Sequence, residues 1–140
     1  MNWYFASRVR HQPKLLQVAE FLKATGHTFS ADWVYQDSLK PYEENLNRVQ
    51  ALATQVVESV LTTDVFVLIS DPGGTDMFVE LGVMLARSEA ANSVRIYIIG
   101  GHSKRSLMQL HPSINHAKDL SEVFVREGID YQNFDIPEFS

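Results

Sequence analysis

The sequence predicts an α/β fold, a three-layer sandwich with helices on both faces of a five-stranded parallel sheet. Three observations predict it. Short apolar runs alternate along the chain with stretches of helical periodicity, the pattern of repeated βαβ units. One of those runs, Val65–Ser70, is continuously apolar, as expected of a strand buried on both faces, and Val94–Ile99 reads as a second buried strand. Glycine turns follow both of them, Gly73-Gly74 and Gly100-Gly101.

Trp3–Ala6 reads as the first strand. Leu15, Val18, Ala19 and Leu22 then recur at i, i+3, i+4, i+7, one face of an amphipathic helix. Gly26 suits a left-handed stop to it. Thr28–Val34 is rich in β-branched and aromatic residues and reads as the second strand. Pro41 fits the first position of a second helix, expected to run to about Thr63 with Leu46, Val49, Ala53, Val56, Val57 and Val60 facing inward. The third strand, Val65–Ser70, leads through Asp71-Pro72-Gly73-Gly74-Thr75 into a third helix over Asp76–Ser88. Val94–Ile99 is the fourth strand. Ser113–Ala117 reads as a brief fifth strand and Asp119–Arg126 as a short last helix. Ile129–Ser140 is a polar, aromatic-bearing tail without a clear element. The reading is of one domain, 1–140, with a tail over 128–140.

The chain has 140 residues, 45% of them hydrophobic and 21% charged, which is ordinary globular composition. A net charge of −5 argues against broad contact with a nucleic-acid backbone but leaves room for a small anion site. Cysteine is absent, which excludes disulfides, thiolate zinc sites and cysteine nucleophiles. The five histidines form no HxH or HxxxH pair, so neither a metal nor another cofactor is expected. Ser70 lies in no GxSxG elbow. No apolar run is long enough to span a bilayer, and Met1–Arg10 shows no apolar stretch of the secretory kind. A cytoplasmic protein is expected.

In open parallel sheets, ligands bind outside the carboxyl ends of the strands. That rule selects the loops Ser7–Arg10, Asp32–Asp37, Asp71–Thr75 and Gly100–Lys104. The richest of these is the glycine turn before the third helix. Backbone N–H groups at a helix start bind anions or oxygen-rich faces, and Gly73 and Gly74, with Thr75, let a ligand approach the backbone closely. Glu80 lies just over one turn into the helix and shares a face with Asp76. The helix dipole favours its ionised form, and an ionised, positioned carboxylate is what glycosyl transfer needs as a nucleophile. Ser7, Arg8 and Arg10, two guanidinium groups and a hydroxyl at one strand end, suit an oxyanion such as phosphate. His102, Ser103, Lys104 and Arg105 form a second basic group, which either binds a phosphate of its own or a neighbouring subunit or, as we read it, is a solvated loop. Asp32 and Trp33 fall at the end of the second strand, where Trp33 either stacks on a base or packs against a helix. Asp64 lies at the opposite end of the sheet and reads as structural.

Tyr4-Phe5-Ala6-Ser7-Arg8, Thr63-Asp64, and Gly74-Thr75 leading to Glu80-Leu81-Gly82 give the chain a wider likeness. In their order and spacing they resemble the nucleoside 2-deoxyribosyltransferase superfamily, which includes N-glycosidases acting on deoxynucleoside and pyrimidine 5'-monophosphates. The resemblance covers most of residues 3–125. It implies a flavodoxin-like, Rossmann-like sheet, and dimers or larger oligomers whose active sites borrow residues from a neighbour. It also implies a glutamate that attacks C1' of the sugar, here Glu80, helped by a tyrosine, here Tyr4. Where the family often has an aspartate or serine six residues before the glutamate, this chain has Gly74, so either Asp71 or Asp76 takes that role. The first loop also lacks the glycines of many monophosphate-binding members. The expected activity is cleavage or exchange of the N-glycosidic bond of a nucleoside or nucleotide, without a cofactor, by a homodimer or larger homo-oligomer. Two rival readings are a non-catalytic nucleotide-binding module of the same fold and an NAD-glycohydrolase-like enzyme.

Overall fold

The structure is a computed structural model that describes residues 1–91 and 93–139. Five strands, β1 (Asn2–Ala6), β2 (Thr28–Phe29), β3 (Val65–Ile69), β4 (Arg95–Ile99) and β5 (Ile114–Ala117), pair in parallel in the order β2-β1-β3-β4-β5. That order is the flavodoxin-like one and reverses direction at β1/β3, its switch point. The helices are α1 (Gln12–Ala24), α2 (Leu46–Thr62), α3 (Asp76–Ala91) and α4 (Leu120–Glu127). Phe21 of α1 packs on Phe124 of α4 on one face, and α2 packs beside α3 on the other.

The period-2 alternation of β1 sorts its side chains between these layers. Trp3 and Phe5 stack on each other, and Trp3 meets Phe124 of α4 edge-on. Tyr4, between them, points to the other face, stacked on Phe66 of β3, its partner in the strand register. β1 and β3 are buried almost end to end, so Tyr4 has no freedom of placement. Asp64 is structural, as expected. Its carboxylate accepts from the Asn2 amide at 2.7 Å, and its backbone joins Asn2 and Arg95, so it ties together the first residues of β1, β3 and β4.

The structure corrects four expectations. β2 stops at Phe29, and Asp32–Tyr35 forms a single 3-10 turn. The Ser30 amide still reaches Trp3 O at 3.0 Å, but the next carbonyl of β1, Phe5 O, is taken by the Trp33 indole N–H at 3.0 Å, which ends the ladder. Pro41 starts a separate 3-10 turn, Tyr42–Glu44, rather than α2. Asn45 donates its side-chain amide to Leu39 O and Pro41 O and holds that connection apart from the helix. Only Ser59 and Val60 of α2 are buried. Leu46, Ala53 and Val57 are exposed, because most of the apolar face of α2 is turned to an open cleft rather than to the sheet. Finally, residues 129–139 form no regular element, yet Ile129 is buried and Tyr131, Phe134, Ile136 and Phe139 are packed on the core. The last residue of the expected tail, Ser140, lies outside the described residues.

Candidate active site

Two clusters form at the carboxyl end of the sheet, on either side of the α3 start. In the first, the Tyr4 hydroxyl, at the middle of β1, donates to Glu80 Oε1. The bond crosses from the sheet to the second turn of α3, which α3 packing on β1 and β3 brings over the strand ends. Met77, Leu81 and Met84 of α3 are buried and set that packing; at helical spacing they fix which way Glu80 points. Glu80 is partly buried, and burial pushes its carboxyl up to about 7. The Tyr4 bond works in the opposite direction, and the nearby charge of Asp76 adds to the rise. The expectation that the helix dipole keeps Glu80 freely ionised is thus corrected. Glu80 sits beyond the first turn, where the dipole has faded, and desolvation outweighs it. Burial, then the Glu80 charge, raises the Tyr4 phenol far above its ordinary range, so it is a permanent donor.

The second cluster centres on Asp71, the second residue after β3 and 5% exposed. Its Oδ1 accepts from the Gly73 amide at 2.9 Å and faces Arg8 Nη1 at 3.5 Å. Its Oδ2 accepts from Arg10 Nη2 at 2.6 Å and Nε at 3.1 Å. The Gly73 amide first, then Arg10, holds the Asp71 carboxyl below the usual carboxylate range. Both arginines remain about half exposed. The Asp71 carboxylate thus lies between the two guanidinium groups. Gly73 and Gly74 also make room within the chain itself. The space where a Cβ would stand at Gly73 is filled by the Arg8 guanidinium, and Cβ space at Gly74, with φ of 103°, is filled by Met77 and by the Arg8 stem. The glycines admit an arginine of the same chain.

A cleft of about 490 Å³ runs from the Glu80 cluster between α2 and α3. Ser7, Trp33, Asp76 and Glu80 line it, and so do Leu39, Tyr42, Val49, Leu52, Val56 and Val79. The structure therefore brings together Tyr4, Glu80, Asp76, Ser7 and Trp33. Asp71 lies apart from this group, bound to the arginines. Trp33 lines the cleft while its indole N–H is committed to Phe5 O. Asp32 is exposed and outside the lining, though near enough to Tyr4 for its charge to raise the phenol further. Thr75 is exposed, and its carbonyl accepts from the Phe78 amide at 3.1 Å as α3 begins.

Sequence reasoning missed Leu39 and Tyr42, which come from a connection without periodicity. It also missed the part played by the loop after β4. That loop is not simply solvated. Arg105 donates to Pro72 O at 2.7 Å, and the buried Gln109 holds the loop by accepting from the Arg105 amide and donating to His102 O. A smaller apolar hollow of about 300 Å³ on the far side of α3 is lined by Phe78, Leu81, Gly82, Leu85, Ser106 and Met108, and no titratable group lines it. Among the described residues no group of three or more His, Asp or Glu could hold a metal ion, and no helix is long and apolar enough to cross a membrane.

No family model matches the chain, and no curated protein matches it in sequence. Among solved structures its fold matches that of the CMP N-glycosidase BcmB of Clostridium botulinum, with a TM-score of 0.58 and 10% sequence identity over 91% of this chain and 98% of that one. At that identity what the two chains share is the fold.

Proposed function

We propose that this chain cleaves or exchanges the N-glycosidic bond of a nucleoside or nucleoside 5'-monophosphate through a covalent glycosyl ester on Glu80. The observation that carries the reading is the Tyr4–Glu80 pair at the mouth of a nucleoside-sized cleft, at the switch point of the sheet. The shared fold with an enzyme named for CMP, a pyrimidine 5'-monophosphate, supports it. So does the sequence resemblance to a superfamily that includes such N-glycosidases.

In the first step a Glu80 oxygen forms a bond to C1'. The C1'–N bond breaks, its electron pair leaves with the base, and the base takes up a proton. In the second, water attacks C1' and the ester C–O bond breaks, which frees the sugar and regenerates Glu80; attack by a second base gives exchange instead. Tyr4 holds one carboxylate oxygen and leaves the other free to attack. Asp76, one helical turn before Glu80 and on the same cleft, takes the assisting role in place of Asp71. Arg8 and Arg10, aimed by Asp71 and accompanied by Ser7, grip a 5'-phosphate through charge-assisted hydrogen bonds. Trp33 offers a face for the base. No cofactor enters these steps.

The exposed apolar side chains of α2, Leu46, Val57 and Leu61, support a homodimer in which a second copy covers that helix. The test of the activity is a panel of nucleosides and 5'-monophosphates read by chromatography for free base. Release by the wild type and loss in Glu80→Gln, with binding kept, is the expected result. No base released from any member of the panel would favour a non-catalytic binding module.

A further inference from the structure

Residues 129–139 lack regular structure but follow a defined path. Phe134 stacks on Phe21 in the second half of α1, with ring centroids 4.3 Å apart and planes 5° apart. Lys14, in the first turn of α1, donates to the Glu138 carbonyl. Phe139 meets the ring of His11 at 5.4 Å, edge-on at 77°. The segment thus runs back along α1, from its late turns to its beginning, and ends on His11.

His11 is where this path meets the candidate site. It closes the 3-10 turn Val9–His11, which contains Arg10 and follows Arg8, and its amide donates to Arg8 O at 3.1 Å. The residue is 3% exposed, and its ring Nε2 has no hydrogen-bond partner among the described residues. Burial, then neighbouring Arg10, keeps the ring below the usual histidine range. The imidazole is therefore a neutral packing piece held by its neighbours' surfaces, and Phe139 is one of them.

We propose that residues 129–139 act as a strap that sets the aim of Arg8 and Arg10, with Phe139 and His11 as positioning residues. This rests on reading the two arginines as a phosphate grip. Arg10 stands on that three-residue turn and Arg8 just before it, and their side chains are about half exposed. The turn leads straight into α1, with His11 at the junction. The Asp71 carboxylate draws the guanidinium groups, and Phe139 of the strap packs on the ring of His11, the residue next to Arg10. A substrate phosphate then meets donors already in place, which reduces the ordering cost of binding.

The test uses Phe139→Ala and Phe139→Tyr, each with and without Glu80→Gln. Amide hydrogen exchange is read over residues 8–14, and calorimetry compares a nucleoside 5'-monophosphate with the same nucleoside on the Glu80→Gln protein. Phe139→Ala should speed exchange over residues 8–14 and weaken the monophosphate by about 2- to 10-fold, the range of one aromatic contact. Nucleoside binding should be unchanged, and Phe139→Tyr, which keeps the ring, should restore both readings. Unchanged exchange over residues 8–14 would overturn the strap. Equal weakening of nucleoside and monophosphate would overturn its positioning role, since the segment would then serve the fold as a whole. Wild-type protein that binds monophosphate no better than nucleoside would instead sink the phosphate reading and take this proposal with it.

Discussion

Replacing Tyr4 by phenylalanine removes one hydroxyl and leaves the stack on Phe66 intact. The lost bond is a donation to a partly buried carboxylate, and a hydrogen bond to a charged group is worth about 1.5–3 kcal/mol. Since 1.36 kcal/mol corresponds to one pH unit, the Glu80 midpoint, about 7 in the intact site, should move up by about one to two pH units. At pH 7 the ionised fraction then falls from about half to between about a tenth and a hundredth, and the rate falls about 5- to 50-fold from this cause alone. The assay is the pH profile of kcat/KM for base release, which reports ionisation in the free enzyme. The rising limb of the wild type should centre near pH 7, that of Tyr4→Phe should lie at higher pH, and the variant should recover toward the wild-type plateau in alkaline buffer. A limb that stays in place, or moves to lower pH, would refute the assignment of Tyr4 as the donor that keeps Glu80 ionisable. The same linkage has a stability side. Folding raises the Glu80 midpoint above its ordinary value of 4.5, so the contribution of this group to stability is full below that value. It is lost as pH rises through about 7.

Arg10→Ala should raise KM for monophosphates about tenfold or more, the worth of one charge-assisted hydrogen bond, and leave free nucleosides nearly unchanged; equal losses on both substrates would show that the arginine serves the fold. Gly73→Ala puts a methyl group where the Arg8 guanidinium lies. It should displace Arg8 and weaken monophosphate binding at near-constant kcat, read from steady-state kinetics. Light scattering at micromolar concentration should give a homodimer, and Leu61→Asp on the exposed face of α2 should give a monomer; a wild-type monomer would count against the pairing of copies.

The fold was legible because β1, β3 and β4 are buried on both faces beyond the first residues of β1 and β4, and such strands read as near-continuous apolar runs. The position of Glu80 was legible for a related reason: a glycine turn at a strand end fixes where the next helix starts. What the pattern left out has physical causes. The run Thr28–Val34 has β-branched and aromatic residues at both ends, but a single indole N–H on Phe5 O ends the ladder. In α2 apolar residues occupy much of the circumference, so periodicity could not say which of them face the cleft. Asp71 and Asp76 stand at the same helix start in sequence. Only the path of the first loop shows that the arginines claim Asp71 and leave Asp76 beside Glu80. The segment after α4 packs one aromatic at a time on α1, and such contacts leave no period to read.

The central claim is that a Glu80 oxygen becomes bonded to C1' during turnover. A nucleoside or 5'-monophosphate carrying fluorine at C2' slows breakdown of that ester, so the intermediate accumulates. Incubation of the wild-type protein with such a substrate, followed by digestion and mass spectrometry, should find the fluorosugar on the peptide that contains Glu80. No adduct should form on Glu80→Gln. Base release from the fluorinated substrate with no adduct on any peptide, or full nucleosidase activity in Glu80→Gln, would contradict the covalent mechanism and point to direct attack by water.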